Sequence, residues 1–268
     1  MTEAIGLIAG SGSFPLRWAE SARRAGHRVV AVAHHDETDP AIERIADEVT
    51  WVHLAQFGKV VRTFRDAGVD RAALAGGITK VRIWGGVRPD LLALKHAAKI
   101  RSFNDDDLLR TIAAIFEEEG VAIVDSTAFC PDLLAREGAY TKRKPAPPSQ
   151  ADIELGLRVA REIGRLDVGQ TVCVKGLSVV AVEAVEGTDA CIRRAAELAG
   201  SGLAVVKTAK PQQDMRFDVP CVGPQTVELL ARVEAAVLAI EAGRTLVLDE
   251  AELTARAEKG KVAVVGLR

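Results

Sequence analysis

What this sequence lacks argues against several classes of protein. Its four cysteines, Cys130, Cys173, Cys191 and Cys221, form no CxxC pair and stand at no zinc-ligand spacing from a histidine, so reduced thiols are expected. A net charge of −2 lacks the basic excess with which general nucleic-acid binders neutralise phosphates. No apolar run approaches the ~20 residues that a transmembrane helix needs. We expect a soluble protein with no nucleic-acid partner, whose membrane contact, if any, is peripheral to the inner membrane.

Two common kinds of hydrolytic site are also missing. There is no Gly-x-Ser-x-Gly elbow to carry a serine nucleophile. The five histidines all lie before residue 97 and form no His-x-x-x-His pair, which disfavours a histidine-rich dimetal site. The first strand-like run, Ala4–Ala9, has no basic segment and small-residue cleavage site before it, so we expect a cytoplasmic protein.

Strand-like and helix-like segments alternate along the chain. In the first half, continuous apolar strands at Ala4–Ala9, 28–33 and 71–75 are separated by helical patterns, which is typical of a parallel sheet covered on both faces. The second half predicts a strand pair around Lys175-Gly176 and a long helix near Thr226–Glu241. The predicted fold is α/β, with an N-terminal Rossmann-like parallel-sheet domain and a second α/β domain.

A proline-rich segment interrupts this alternation. Three prolines within four residues, at 145, 147 and 148, continue neither a helix nor a central strand, and the basic residues before them favour exposure. We interpret the segment as an interdomain connector. The predicted organisation is a nucleotide-contacting domain at residues 1–138, a linker at 139–149 and a catalytic α/β domain at 150–268.

Two glycine turns follow predicted strands. The run Gly10-Ser11-Gly12 precedes the first helix, where glycines let the backbone approach a ligand and a helix start attracts phosphate. Pro15 replaces the third glycine of the Rossmann fingerprint, which disfavours an NAD site. Gly76-Gly77 is a second such turn, and the two would frame one crevice if their strands are neighbours. A phosphate contact and a plain tight turn both explain these glycines.

Two charged segments each allow two interpretations. Residues 80–103 carry six basic side chains against Asp90, with leucines between them. Such a segment lies on an anionic membrane surface or covers an acyl chain, or it is a solvated helix with one apolar stripe. The acidic residues 105–107 suit either a metal ion or the positive end of a helix dipole.

The densest polar stretch runs from Lys207 to Asp218 and combines lysines, aspartates, glutamines and an arginine. Carboxylates hold a divalent cation or orient water, while cations offset charge on phosphate oxygens, so this mixture suits phosphoryl hydrolysis. Ion pairs in a structural loop would give the same composition. Thr188 and Asp189 open a helix, where they serve either as a cap or as ligand contacts.

Ordered sequence blocks in both halves carry a specific resemblance. Residues 151–170, residues 182–189, the run Lys210-Pro-x-Gln213-x2-Arg216-x-Asp218-x-Pro220-x2-Gly223 and the N-terminal blocks 6–12, 57–59 and 106–109 resemble the UDP-2,3-diacylglucosamine pyrophosphohydrolase family of lipid A biosynthesis. The likeness covers nearly the whole chain. It implies hydrolysis of the pyrophosphate of UDP-2,3-diacylglucosamine to UMP and 2,3-diacylglucosamine 1-phosphate (lipid X). It further implies Mg²⁺ or another divalent cation and a substrate held between two hinged domains; a homodimer is a further option.

The resemblance also implies roles for individual residues. The family's essential aspartate falls on Asp218, which would bind the cation or orient the attacking water, while Arg216 and Lys210 would contact the phosphates. A non-catalytic nucleotide-sugar or lipid-phosphate binding protein, and a pyrophosphatase for another nucleotide sugar, stay open as alternatives. The implied substrate-binding residues are Gly10, Ser11, Gly12, Gly76, Gly77, Thr188, Asp189, Gln213 and Asp214.

Overall fold

The computed structural model describes residues 3–78, 88–99, 105–217 and 219–268. It divides the chain into two compact units, Met1–Pro131 with Asp214–Asp218, and Asp132–Gln213 with Val219–Arg268. The chain therefore leaves the second unit after Gln213 and re-enters it at Val219. Both units combine helices with a β-sheet, so the predicted α/β class is confirmed.

The first unit is built on a five-stranded parallel sheet. Its elements are β1 (Ala4–Ala9), α1 (Phe14–Arg24), β2 (Arg28–His34), β3 (Glu48–Val52), α2 (Phe57–Asp66), β4 (Arg71–Ala75), α3 (Leu91–His96), α4 (Asp105–Glu118) and β5 (Ala122–Ile123). The strand order β3-β2-β1-β4-β5 places β1 beside β4 and reverses between them. Open α/β sheets bind their ligands at such a reversal, outside the carboxyl ends of the strands.

The core of the first unit draws on distant parts of the sequence. Phe57, Val61 and Phe64 repeat at helical spacing on α2 and pack into this core with Phe116 of α4. The rings of Phe57 and Phe116 meet edge to face, with centroids 5.5 Å apart. Phe217, which follows most of the second unit in sequence, is buried in the same core. Residues 214–217 are thus held in the first unit partly by burial of an aromatic ring.

A single carboxylate caps two helices of the first unit. Asp90 Oδ2 accepts hydrogen bonds from the N–H groups of Gly58 (2.7 Å) and Lys59 (3.2 Å) at the start of α2. Its Oδ1 accepts from those of Leu92 and Ala93, 3.1 Å each, at the start of α3. Asp90 therefore accepts from four amide groups in the first turns of the two helices, of which Lys59 N also donates to Gln56 O at 3.1 Å. It places negative charge at two positive helix ends.

The second unit contains a mixed six-stranded sheet. Its strand order is β6-β13-β11-β9-β7-β8, with β9, β11 and β13 parallel and β7 antiparallel to both β9 and β8, while β10 and β12 form a separate parallel pair. The strand pair predicted around Lys175-Gly176 is β7 with β8. The elements are β6 (Gly138–Ala139), α5 (Pro147–Arg165), β7 (Thr171–Lys175), β8 (Ser178–Val182), α6 (Thr188–Ala199), β9 (Ala204–Lys207), β10 (Cys221–Val222), α7 (Pro224–Arg232), β11 (Val237–Glu241), β12 (Leu246–Val247), α8 (Glu250–Gly260) and β13 (Ala263–Leu267).

The long helix predicted near Thr226–Glu241 is wrong. The helix α7 ends at Arg232, Glu234 adopts a left-handed backbone conformation with φ of +51°, and β11 begins at Val237. All five residues of β11 are buried between neighbouring parallel strands. A strand buried on both faces is uniformly apolar, so the period of its sequence does not distinguish it from a buried helix.

The boundary between the units also differs from the predicted one. Residues 139–149, interpreted as a linker, lie inside the second unit, which begins at Asp132. The Tyr140 ring is buried, and its hydroxyl accepts a hydrogen bond from Arg136 N at 2.7 Å. Pro147 and Pro148 form the first residues of α5, where proline costs no hydrogen bond because the first amides of a helix lack intrahelical partners. The prolines start a helix rather than connect two domains.

None of the helices in the part of the chain that the structure describes has the length and apolar character needed to cross a membrane.

Candidate functional site

The two glycine turns of the first unit meet at the carboxyl ends of β1 and β4. Ser11 N donates a hydrogen bond to Gly77 O (2.7 Å) and Gly77 N donates to Ser11 O (3.3 Å), which forms a short antiparallel bridge. Ser11 Oγ also donates to Gly77 O at 2.9 Å. The two turns were expected to frame one crevice if their strands are neighbours, and β1 and β4 are neighbours. The turns form one continuous surface where the strand order reverses.

The glycines at this bridge are required by close packing of two backbones. A Cβ on Gly10 would overlap Gly77 O, and a Cβ on Gly76, whose φ is +85°, would overlap Ser11 O. Helix α1 begins directly after this bridge, and the Ser13 side chain at its start makes no capping hydrogen bond. Backbone amides at an uncapped helix start and a surface formed mainly by glycine backbone together suit a phosphate group.

A group of aromatic and histidine side chains that sequence reasoning missed lies at the carboxyl ends of β2 and β3. The His35 ring stacks on Trp51 at 5.5 Å and lies 4.6 Å from the His53 ring, measured between centroids. Arg88 Nη1 lies 3.2 Å from His53 Nε2. Partial desolvation and the neighbouring Arg88 guanidinium lower the pKa of His53, which favours its uncharged form. Flat aromatic rings of this kind provide a stacking surface for a heterocyclic base. In the sequence, His35, Trp51 and His53 form no recognisable motif.

Residues 214–217 carry two of the predicted site residues into the first unit. Arg216 donates to Asp214 from Nε (3.0 Å) and Nη2 (2.9 Å), and its Nη1 reaches Glu117 on α4 at 3.2 Å. Arg110, also on α4, lies 3.3 Å from Asp214. Hydrogen bonding to Arg216 lowers the pKa of Asp214, and the same contact raises the pKa of Arg216. The guanidinium is thus already paired with two carboxylates, and a phosphate would have to compete with them.

Ser126 fixes the backbone of this segment. Its Oγ lies 2.9 Å from Arg216 O and 2.6 Å from Leu74 O, and its backbone N–H donates to Met215 O at 3.0 Å. Asp218, the predicted catalytic and metal-binding residue, follows this anchored segment and lies outside the described residues. Sequence reasoning did not single out Ser126.

In the second unit, the predicted catalytic Lys210 is buried. Its ammonium forms an ion pair with Asp167, and the two side chains are only 3% and 11% exposed. Arg244 Nη2 donates to Lys210 O at 2.8 Å, and Gln213 N donates to the same carbonyl at 2.9 Å. Lys210 and the predicted Gln213 therefore belong to one turn whose charge is balanced inside the protein, which fits a structural role for Lys210.

Thr188 lies at the start of α6 within a polar group of side chains. Its Oγ1 donates to Glu183 Oε1 at 2.9 Å and accepts from Lys207 Nζ at 2.9 Å. Asp189 is exposed and pairs with Arg193 four residues later at 3.5 Å. The structure thus brings Thr188 together with Lys207 and Glu183, which had no assigned role, and directs Asp189 to a neighbour on its own helix.

Carboxylates that could hold a metal ion were predicted around Asp218. Within the described ranges, no cluster of three His, Cys, Asp or Glu side chains has an arrangement suited to a metal. Residues 79–87 and 100–104, which include half of the predicted basic segment 80–103, lie outside those ranges, as do the side chains of Asp105 and Asp106.

Comparison with known proteins gives the family. Models of the LpxI N-terminal domain and the LpxI C-terminal domain match residues 4–133 and 136–265. The UDP-2,3-diacylglucosamine pyrophosphatase LpxI of Caulobacter vibrioides is 36% identical over 276 aligned positions, which cover 98% of this chain and 97% of that protein. The chain belongs to the LpxI family. Both halves contribute to the match, and the division between the two LpxI domains falls close to the structural boundary at Pro131.

Two solved structures show a distant likeness to this LpxI family member. The biotin carboxylase domain of a thermophilic 2-oxoglutarate carboxylase bound to ADP aligns with a TM-score of 0.29 and 12% identity, over 65% of this chain and 35% of that one. AnUbiX (PadA1) in complex with FMN and dimethylallyl pyrophosphate aligns with a TM-score of 0.25 and 17% identity, over 60% of this chain and 90% of that one. Likenesses of this degree carry no argument about function.

Proposed function

We propose that this protein hydrolyses the pyrophosphate of UDP-2,3-diacylglucosamine, releasing UMP and 2,3-diacylglucosamine 1-phosphate (lipid X) in lipid A biosynthesis. The observation that carries the proposal is the near full-length identity of 36% to a relative named as that pyrophosphatase. This similarity extends over both units of the chain.

The first unit supplies surfaces for the nucleotide. The bridge between Ser11 and Gly77 and the uncapped start of α1 present backbone amides to phosphate oxygens. The adjacent rings of His35, His53 and Trp51 lie at the ends of β2 and β3, on the same edge of the sheet as the glycine turns. Their flat faces suit the uracil base. This placement supports a nucleotide-contacting first unit.

A divalent cation fits the composition of the proposed site. Asp214 is occupied by Arg216 and Arg110, so the carboxylate available in that sequence block is Asp218. Mg²⁺ is commonly bound by one or two protein carboxylates together with substrate phosphates, so a single aspartate is a sufficient protein contribution. Asp218 and the pyrophosphate would hold the ion. When bound, it would offset negative charge that develops on the phosphate oxygens during hydrolysis.

Exposed apolar residues on α3 support a contact with lipid. The side chains of Leu91 and Leu94 are 86% and 57% exposed, and Lys95 follows them. Burying two leucines in a bilayer next to a basic side chain favours binding to an anionic membrane. Sedimentation with vesicles of phosphatidylglycerol should carry down the wild type and much less of a Leu91→Glu, Leu94→Glu variant. Equal sedimentation of both proteins would contradict the membrane contact.

The central experiment measures release of UMP from UDP-2,3-diacylglucosamine, with and without Mg²⁺. The wild type is expected to turn over only with the cation, and Asp218→Ala is expected to lose turnover while keeping its unfolding temperature. Asp66→Ala, which removes an exposed acid at the end of α2, is the matched control. Binding without release by the wild type would contradict the enzymatic proposal and indicate a carrier or sensor. Faster release from another nucleotide sugar would contradict the substrate assignment.

A further inference from the structure

Three polar residues of the second unit lie in one row across neighbouring strands. Lys207 is the last residue of β9, and it pairs in register with Thr171, the first residue of β7. Glu183 continues β8 by one residue, and its N–H donates to Thr171 O at 2.8 Å. Because residues paired across strands project to the same side of a sheet, the register brings Lys207 and Glu183 to either side of Thr171.

The hydroxyl of Thr188 joins the two charged ends of this row. It has a single proton, which it donates to Glu183 Oε1 at 2.9 Å. A lone pair on the same oxygen therefore faces Lys207 Nζ, which donates to it at 2.9 Å. Glu183 Oε2 in turn accepts from Gln170 N at 3.3 Å. Thr171 Oγ1 also lies 3.5 Å from the Thr188 hydroxyl, so this oxygen connects the whole row and orients the Lys207 ammonium.

The charge of Lys207 is not balanced as that of Lys210 is. Lys210 is neutralised by Asp167, and Arg216 is neutralised by Asp214 and Glu117. Lys207 is half-buried, and among the described residues no carboxylate lies within ion-pair distance of its ammonium. Within the described ranges its contact with Thr188 uses one of the three N–H donors, which leaves two for a ligand. A partly desolvated cation in this state favours an anionic ligand, which would restore the interactions it has lost with water.

The start of α6 adds positive potential at the same place. Thr188 is the first residue of this twelve-residue helix, and Gly187, at its N-cap with φ of +81°, offers no side chain to cap it. The unpaired amides and the helix dipole reinforce the attraction of Lys207 for an anion. The anion-binding character nevertheless rests on the Lys207 side chain and its orientation by Thr188.

From this geometry we infer that Lys207 is a catalytic residue that contacts the pyrophosphate of the substrate, and that Thr188 and Glu183 position it. This inference rests on the proposed hydrolysis. Lysine acts as a point charge toward phosphate oxygens, and its effect is largest where negative charge builds up during bond cleavage. Thr188 then serves the reaction through Lys207 rather than as a substrate ligand, and Lys210 stabilises the fold.

The test compares Lys207→Met with Lys207→Arg and with the control Lys175→Met. Lys175 ends a strand of the same sheet, and its ammonium bonds to Ala199 O on α6. Lys207→Met is expected to lower kcat by about 10²–10³, the loss seen when one charge-stabilising donor is removed, with an unchanged unfolding temperature. Lys207→Arg should recover part of that loss. A kcat/KM for Lys207→Met within about threefold of the control would overturn the assignment.

Positioning by Thr188 is tested by two substitutions. Thr188→Ser keeps the hydroxyl and should retain turnover, whereas Thr188→Val should lower kcat more than it raises KM, because the lysine loses its orientation in the transition state. Equal kcat for the two variants would contradict a role for the hydroxyl.

A binding measurement separates failure of this inference from failure of the proposed function. Calorimetry with inorganic pyrophosphate requires no turnover of any nucleotide sugar. If the wild type fails to hydrolyse UDP-2,3-diacylglucosamine, the proposed function falls, but an affinity for pyrophosphate reduced about tenfold or more in Lys207→Met would still support the anion contact. Equal affinities of the wild type and Lys207→Met would overturn it.

Discussion

Lys210 and Asp167 form an ion pair inside the second unit, with almost no exposure of either side chain. Asp167 adopts a left-handed backbone conformation, with φ of +54°, in the turn after α5 that brings its carboxylate to the lysine. The pair joins this turn to the polar loop after β9. A lysine chosen from its sequence block as a phosphate contact thus has a partner 43 residues earlier in the chain.

Breaking this pair should destabilise the protein. Lys210→Met leaves the Asp167 carboxylate buried without its cation, and such single removals cost about 3–5 kcal/mol. The measurement is the free energy of unfolding from urea titration. The double variant Lys210→Met, Asp167→Leu removes both charges and should recover much of the loss. Lost turnover in Lys210→Met with unchanged stability would instead restore a direct catalytic role for this lysine.

Substitutions in the two glycine turns can distinguish the stability cost of a steric clash from the cost of a left-handed backbone conformation. Gly12 and Gly76 have nearly the same φ, +86° and +85°, but a Cβ on Gly12 meets nothing within 4 Å, whereas one on Gly76 overlaps Ser11 O. Gly12→Ala should cost about 1–2 kcal/mol from the left-handed conformation alone. Gly76→Ala should cost clearly more in the same urea titration and should weaken pyrophosphate binding. Equal stability losses would show that the close approach of the two turns is not needed.

Acid should weaken the attachment of residues 214–217. Hydrogen bonding to Arg216 holds the pKa of Asp214 below its ordinary value. A lowered pKa in the folded state gives stability that is fully present above the unfolded pKa of about 3.9 and is lost as the pH falls through the lower, folded pKa. Asp214→Asn should therefore flatten the fall in unfolding free energy below about pH 4. An unchanged acid profile would contradict this assignment.

Asp90 should matter to stability more than an ordinary helix cap. Replacing one capping side chain by alanine costs about 0.5–2 kcal/mol, and Asp90→Ala removes caps from α2 and α3 together. Asp39→Ala is the matched control, because Asp39 caps only the short 3-10 helix Pro40–Arg44 through Ala41 N. Calorimetric unfolding should show a larger loss for Asp90→Ala. If Asp90→Ala lost less stability than Asp39→Ala, the prediction that Asp90 stabilises two helices at once would be contradicted.

The histidine group offers a test of base recognition. His35→Ala removes the ring that stacks on Trp51 and also contacts His53, and loss of one stacking partner costs about 1–3 kcal/mol of binding. UMP affinity should fall by about 5- to 150-fold, while affinity for inorganic pyrophosphate, which has no base, should not change. Parallel losses for both ligands would argue against a base contact.

The fold could be predicted from sequence where local pattern determines structure. The strands β1, β2 and β4 are continuous apolar runs between helices, and each was found near its predicted position. The prediction failed at β11, whose fully buried residues carry no period, and at Pro147, which looks the same whether it ends a domain or starts a helix. In both places, tertiary surroundings rather than local sequence determine the outcome.

The site was predictable in part for a different reason. Block resemblance brought Thr188 and Arg216 to attention, but a block does not show which atoms each side chain contacts. Lys207, Glu183 and Ser126 carry no motif, and their roles follow from strand register and from a segment that crosses between units. Such contacts join residues up to 90 positions apart, so local patterning gives no sign of them.

The first unit is synthesised first, but it is completed by residues that are synthesised much later. Phe217, Asp214 and Arg216 complete the core and the ion pairs of the first unit, yet they leave the ribosome about 80 residues after Pro131. At about 5–20 residues per second, that delay lasts several seconds. During this time the nascent first unit has an open place in its core where the Phe217 ring will lie. The N-terminal half, although made first, therefore cannot finish folding before residues 132–213 of the second unit have been synthesised.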